Sequence, residues 1–335
     1  MGQGRRRQFL IAAGALLAAP RMARAQAQKR LPVLGLLIPG RNPPPDPFFK
    51  RLEELGWIEG KTLLVERVYA DDSLERLPEL AAALVAKNVD VIWTMRTPGP
   101  VFAARATKTV PIVFQHAGIP VELGLVDSYA RPGRNVTGVA WIVDPVITAK
   151  RFQLLRELAP GARRVASIVA PSINLPTVAG GLFDVSTMPD NVGPAIRKLG
   201  FESRRFVLAT VAELEPVLAA IAKWAPDALS VQDFAVTFSA KRQIVDFARR
   251  HRLPDTHESL QWVEAGGLFS YGIVTLPGLL RTAEMVDRIL RGAKPADIPV
   301  ELPSHYEMVV NLGTAKALGL KVPKSFLLRA DRVIE

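Results

Sequence analysis

The chain has 335 residues, 49% of them hydrophobic and 22% charged, with a formal net charge of +11 and no cysteine. That length and balance suit two globular domains of ordinary size and exclude a disordered or fibrous chain. The lack of cysteine excludes disulfide staples, thiolate nucleophiles and thiolate metal sites. Past residue 25, no apolar run approaches the length of a membrane span.

The first 25 residues read as an export signal. Arg5-Arg6-Arg7 is a charged leader, Phe9 to Ala19 an apolar stretch, and Ala23-Arg24-Ala25 a small-x-small cleavage site, so the mature chain is expected to begin at Gln26. Arg6-Arg7-Gln8-Phe9-Leu10 matches a twin-arginine motif, which makes the twin-arginine machinery an expected partner. No cysteine follows the signal to take a lipid, so a soluble periplasmic protein is expected. Five arginines leave with the signal, lowering the net charge from +11 to +6. The remaining charges of both signs are interspersed, which argues against a nucleic-acid surface.

In chain order, Val33 to Ile38 reads as a buried strand ended by Pro39-Gly40. A proline-rich loop and a helix, Phe48 to Leu55 stopped by Gly56, come next. Thr62 to Tyr69 is strand-like, and Leu77, Leu80, Ala81, Leu84 and Val85 recur at helical spacing. Val89 to Thr94 and Val110 to Phe114 are strands flanking a short helix through Ala103-Ala104. After the loop Gly118-Ile119-Pro120, a helix is predicted from Val121 to Tyr129, stopped by Arg131 to Asn135. The run Val136 to Trp141 then leads towards a second half.

That half opens with a helix from Val146 to Leu158 and a strand from Arg164 to Ala170. Pro171 to Met188 carries too many prolines and glycines to read as helix and is predicted as irregular loop. A helix ending at Leu199, a strand Phe206–Ala209, a helix Val211–Lys223, a strand Asp227–Val231 and a helix Ser239–His251 follow. Leu253–Thr256 and Leu268–Tyr271 are short strands. Leu279, Ala283, Val286 and Leu290 mark an amphipathic helix; Met308–Asn311 is the last predicted strand and Thr314–Leu318 the last predicted helix.

Strands alternating with helices indicate parallel βαβ units and an α/β fold. In such sheets ligands bind beyond the carboxyl ends of the strands. That rule selects Gly40 and Arg41 after the first strand, Thr94, Arg96 and Thr97 after the third, and His116, Gly118 and Ile119 after the fourth. In the second half it selects Ser172, Asn174, Gln232, Asp233 and Glu258, with Trp141 and Tyr271 as aromatic contacts near the junctions. No catalytic constellation is present: there is no GxSxG, HExxH, GxxxxGK[ST] or strand-linked GxGxxG, and His116, His251, His257 and His305 show no metal-ligand spacing. A non-enzymatic protein without cofactor or metal is therefore expected.

Several blocks carry a family resemblance. They are Leu55-Gly56-Trp57-Ile58-Glu59-Gly60, Val110-Pro111-Ile112-Val113-Phe114, Arg131-Pro132-Gly133-Arg134-Asn135-Val136-Thr137-Gly138, Val263-Glu264-Ala265-Gly266-Gly267 with Ser270-Tyr271-Gly272, and Arg291-Gly292-Ala293-Lys294-Pro295. In this order and spacing over residues 31–335, the chain resembles the periplasmic substrate-binding proteins of ABC transporters, the tryptophan/tyrosine-type group with the type I periplasmic-binding fold. The resemblance implies two Rossmann-like lobes with parallel sheets and a three-crossing hinge. Lobe 1 would comprise 31–141 plus 273–294, and lobe 2 would comprise 142–272 plus 295–335. It implies a monomer that closes on a small-molecule ligand and delivers it to permease subunits in the inner membrane. A periplasmic sensor docking on a signalling receptor is the alternative. One departure stands out: where the family usually has Asp-Pro-Val after the fourth strand, this chain has Ile119-Pro120-Val121. Isoleucine cannot hold an ammonium, and Arg41 and Arg96 in neighbouring loops suit a carboxylate, so an organic or aromatic acid is expected over a free amino acid.

Overall fold

The computed structural model describes residues 30–41, 45–71, 73–141, 145–169, 174–184 and 192–335. The signal reading, the cleavage site after Ala25 and Ser172 lie outside these residues.

Lobe 1 begins with β1 (Val33–Ile38), α1 (Asp46–Glu54), β2 (Leu64–Tyr69), α2 (Leu77–Ala86), β3 (Val91–Met95), α3 (Pro98–Ala106), β4 (Ile112–Ala117) and β5 (Val136–Ala140). The strands form one parallel sheet in the order β2-β1-β3-β4-β5. Central strands such as β1 are apolar on both faces because helices cover both.

Lobe 2 comprises α4 (Pro145–Leu158), β6 (Arg164–Val169), the strands β7 (Asn174–Pro176) and β8 (Leu182–Asp184), α5 (Val192–Lys198), β9 (Glu202–Val207), α6 (Leu214–Trp224), β10 (Ala228–Val231), α7 (Ala235–Ser239), α8 (Lys241–Arg250), β11 (Asp255–His257), α9 (Leu260–Glu264) and β12 (Phe269–Ile273). The chain then enters α10 (Thr275–Leu290), and returns as β13 (Tyr306–Asn311), α11 (Leu312–Ala317), α12 (Lys324–Leu327) and β14 (Arg332–Ile334). The second sheet has the order β14-β13-β12-β11-β10-β6-β9, parallel except for the antiparallel β12–β13 pair.

The helix α10 follows lobe 2 in sequence but packs on lobe 1. Leu279, Ala283, Met285, Val286 and Ile289 recur at helical spacing and join Phe48, Leu52 and Trp93 in one core. Each fully buried large side chain there contributes roughly 1.5–3 kcal/mol. Polar contacts fix the docking: Trp93 Nε1 donates to Thr282 Oγ1 (3.1 Å), Trp57 Nε1 to Asp287 Oδ1 (2.8 Å), and Arg51 Nη2 to Glu284 Oε1 (2.8 Å).

Three differences from expectation have physical reasons. Residues 121–129 form a turn rather than a helix. Leu123 N bonds Ile119 O, but Gly124 then takes φ +72° and the Arg134 guanidinium caps its carbonyl. The return to lobe 2 comes later than Pro295. Glu301 N bonds Gly138 O, Ala140 N bonds Glu301 O, and Ile298 is buried against lobe 1, so 295–301 stays with lobe 1 and the crossing follows it. Part of the stretch expected to be irregular, 174–184, is an antiparallel hairpin.

β5 and β12 both leave their sheets at carboxyl ends, and β13 starts beside the carboxyl end of β12. All three crossings therefore join the carboxyl edges of the two sheets. The loops selected by the binding rule consequently look towards one another across the hinge.

Candidate functional site

The lobe 1 wall is built from the loops after β1, β3, β4 and β5. Three non-glycine residues at this edge hold positive φ: Arg96 (60°), His116 (57°) at an irregularity near the end of β4, and the β-branched Ile119 (43°). Left-handed backbone at such residues costs free energy and concentrates at functional sites. The loops are tied together, since Arg96 N donates to Gln115 O (2.9 Å) and Gly118 N to Thr97 Oγ1 (3.0 Å). The His116 ring meets Trp141 edge-on at 4.9 Å. Burial, helped by the nearby Arg96 charge, pushes the His116 pKa down to about 4, so its imidazole is neutral at physiological pH. Arg41 and Arg96 are exposed at this edge.

Two expected contacts are structural instead. Thr94 is fully buried; its Oγ1 donates to Leu37 O (2.7 Å), beneath Gly99. Ile119 turns its side chain into the lobe 1 core rather than outwards. Gly40 and Gly118 offer only backbone.

The lobe 2 wall centres on a buried ion pair. Arg151 Nη2 donates to Glu258 Oε1 (2.8 Å) and to Thr148 Oγ1 (2.9 Å), and Nη1 to Tyr271 O (3.3 Å). The two charged side chains are 8% and 14% exposed. Burial raises the Glu258 pKa while Arg151 opposes the rise. Asp233 N donates to Glu258 Oε2 (3.4 Å), and Asp233 Oδ1 accepts from Trp262 Nε1. Arg151 and Glu258 border a cavity of about 420 Å³ with Phe152, Ser167, Ser230 and Gln232. Tyr271 stacks near Tyr306 at 6.1 Å rather than standing alone. Asn174 lies in β7.

Sequence reasoning missed Arg151. It lies on the face of α4 that also carries Leu154, Leu155 and Leu158, so an arginine at a core-facing helical position was the available signal. The neighbouring His257 is fully buried, held by Asp255 Oδ2 at 2.7 Å and stacked on Trp262 at 4.6 Å, and serves packing.

A smaller cavity of about 170 Å³ lies at the crossings, lined by His116, Val139, Ile273, Arg281, Glu301 and His305 among others. Among the described residues no group of three or more His, Asp or Glu side chains could hold a metal.

Two parallel-dominated sheets with a hinge between their carboxyl edges define the type I periplasmic-binding architecture. The chain belongs to the family of ABC transporter substrate binding proteins, whose sequence profile matches residues 39–334. It is 26% identical over 275 residues to the tyrosine-binding protein of Clostridioides difficile strain R20291, covering 82% of this chain and 76% of that protein. Among solved structures it resembles an ABC domain in complex with L-Trp from Streptococcus pneumoniae (TM-score 0.76, 23% identity, 91% and 100% of the two chains). It also resembles a ligand-free, open substrate-binding protein with adhesive properties from Clostridium difficile (TM-score 0.66, 23% identity, 91% and 99%). The latter two likenesses concern the fold.

Proposed function

We propose that the chain is the exported solute-binding component of an ABC importer, closing its lobes on a small organic acid and presenting it to a permease. The observation that carries the ligand class is the charge pattern of the two walls. The described loops after β1 and β3 hold Arg41 and Arg96 and no acid, while the longer loop after β4 carries Glu122 and Asp127, the latter paired with Arg134. Of the acids on the lobe 2 wall, Glu258 is paired with Arg151 and Asp233 accepts from Trp262, while Glu202 lies at the cavity's border. The nearest described side chains to the strand ends of lobe 1 thus offer a carboxylate an exposed guanidinium beside a neutral imidazole. Trp141 and His116 add aromatic surface for an aromatic acid. Lobe 1 would comprise residues 31–141 with 273–301, and lobe 2 the remainder. Export through the twin-arginine route, a periplasmic location and a monomeric state belong to the same reading.

The relatives described as tyrosine-binding and L-Trp-bound favour the competing ligand class, a free aromatic amino acid. The test is a thermal-shift panel on chain that has been unfolded and refolded to shed carried ligand. The panel sets aromatic and aliphatic amino acids beside their deaminated acids. A ligand at a hundred times its Kd adds about 2.7 kcal/mol of stability. A shift with acids alone supports the proposal; a shift with free amino acids overturns the ligand class and leaves the binding role.

A further inference from the structure

The hairpin β7–β8 belongs to lobe 2 by sequence, following β6, yet it lies on lobe 1. Leu175 and Phe183 face each other across the hairpin. Together with Val178 at its tip they pack on the lobe 1 core that includes Leu123, Leu125 and Ala104. The backbone joins in: Val178 N donates to Leu123 O at 2.9 Å. Arg105, on α3 of lobe 1, donates from both Nε (3.0 Å) and Nη2 (2.7 Å) to the Thr177 carbonyl. The outer face of the hairpin is different, with Leu182 69% exposed. Among the described residues, the apolar face of the segment and its Thr177 carbonyl are therefore met by lobe 1.

We propose that this hairpin is an inter-lobe clasp: it anchors lobe 2 to lobe 1 away from the three crossings and sets how far and how often the cleft opens. The inference rests on the hinge-closing reading above. In a protein whose ligand binds the closed arrangement, apparent affinity falls with the fraction of molecules able to close. Contacts made only when the lobes are together raise that fraction without touching ligand. Arg105, Val178 and Phe183 are then positioning residues for affinity, remote from the binding walls.

The chain lacks cysteine, so introduced cysteines label cleanly. Spin labels at E79C and E215C, exposed positions on α2 and α6, report the inter-lobe distance in the full mature chain. The expected result for Arg105→Ala/Phe183→Ser is a longer and broader distance distribution than the unaltered clasp gives in ligand-free protein. L-tyrosine and hydroxyphenylpropionate serve as probes. Whichever binds should dissociate about tenfold faster from the loosened variant, with little change in association. A second variant tests the clasp in the opposite direction, its reduced form serving as the control for the strain of a cysteine at the φ of +72° that Gly124 holds. A Cβ built on Gly124 sits 3.8 Å from Val178 Cβ, the separation a disulfide needs. In G124C/V178C the oxidised form should narrow the distance distribution and slow release, and reduction should reverse both. Identical distributions and release rates in loosened, bridged and unaltered chains would overturn the clasp. If the distance responds and neither probe binds, the clasp stands and the ligand class is wrong. If a probe binds and the distance never changes with ligand, hinge closure itself fails.

Discussion

At the residue scale, the Arg151–Glu258 pair is the feature with the largest expected consequence. Two charges out of water are tolerable only while both remain and their other bonds are met. Arg151→Met leaves Glu258 buried and unpaired, and should cost about 3–5 kcal/mol in urea unfolding at pH 7.5. The loss should shrink as pH falls, because burial already raises the Glu258 pKa and removing Arg151 raises it further, so acid neutralises the stranded carboxylate. Arg151→Met/Glu258→Gln should recover much of the loss at pH 7.5. A cost that ignores pH would mean packing, not charge, dominates. His116 works in the opposite sense. Its folded pKa of about 4 lies below the ordinary 6.5, so the unfolded chain binds the extra proton between these values. Stability from this group is fully present above pH 6.5 and declines as pH falls towards 4, by up to about 3 kcal/mol. His116→Asn, which tolerates the φ of 57°, should flatten that part of the stability–pH curve. An unchanged slope would place the acid sensitivity elsewhere.

At the element scale, backbone contact decides what side-chain patterns cannot. A Cβ on Gly272 would lie 1.7 Å from the Glu258 carbonyl oxygen, so β12 and the end of β11 approach only because this residue is glycine. Gly272→Ala should displace Glu258, cost about 1–3 kcal/mol and weaken ligand binding. Gly292→Ala, where φ is +104° but nothing lies within 4 Å of the added atom, should cost stability and leave binding intact. Equal binding in both variants would show that the position of Glu258 does not matter to the ligand. The same distinction explains what was legible in the sequence. The helix α10 is readable because Leu279, Ala283 and Val286 state one buried face directly. The turn at 121–129 is not, because Gly124 and Arg134 end it through backbone geometry and a long-range cap. Thr94 was misread because its burial depends on Gly99 lying over it, and Arg151 because the helix pattern treats a charge as solvent-facing. The hairpin 174–184 owes its order to lobe 1, which local sequence does not contain.

At the scale of the whole molecule, the two sheets are interleaved along the chain: the second sheet takes β6 to β12 and then β13 and β14, with α10 between them packed on the first. Each lobe has its own pair of cores: one pair includes Trp93, Phe48 and Leu84, the other Trp262, Phe152 and Phe326. Among the described residues, no core cluster spans the hinge except through the hairpin's apolar face. Independent cores joined by three crossings predict separate unfolding, since two-state behaviour holds chiefly for single domains. Trp93 is buried in lobe 1 and bonded to α10, whereas Trp262 is buried in lobe 2 and bonded to Asp233, so the two report different lobes. In chains retaining only one or the other, with the remaining tryptophans replaced by phenylalanine, the urea midpoints should differ when the cleft is empty. A ligand touching both walls stabilises whichever lobe would open first, by about 2.7 kcal/mol at a hundredfold excess over Kd, and so should draw the two midpoints together. Loosening the hairpin should widen their separation in the empty protein and have less effect once ligand bridges the lobes. Coincident midpoints in the empty protein would mean that the crossings and the hairpin already couple the lobes into one cooperative unit, leaving hinge closure little free energy to redistribute.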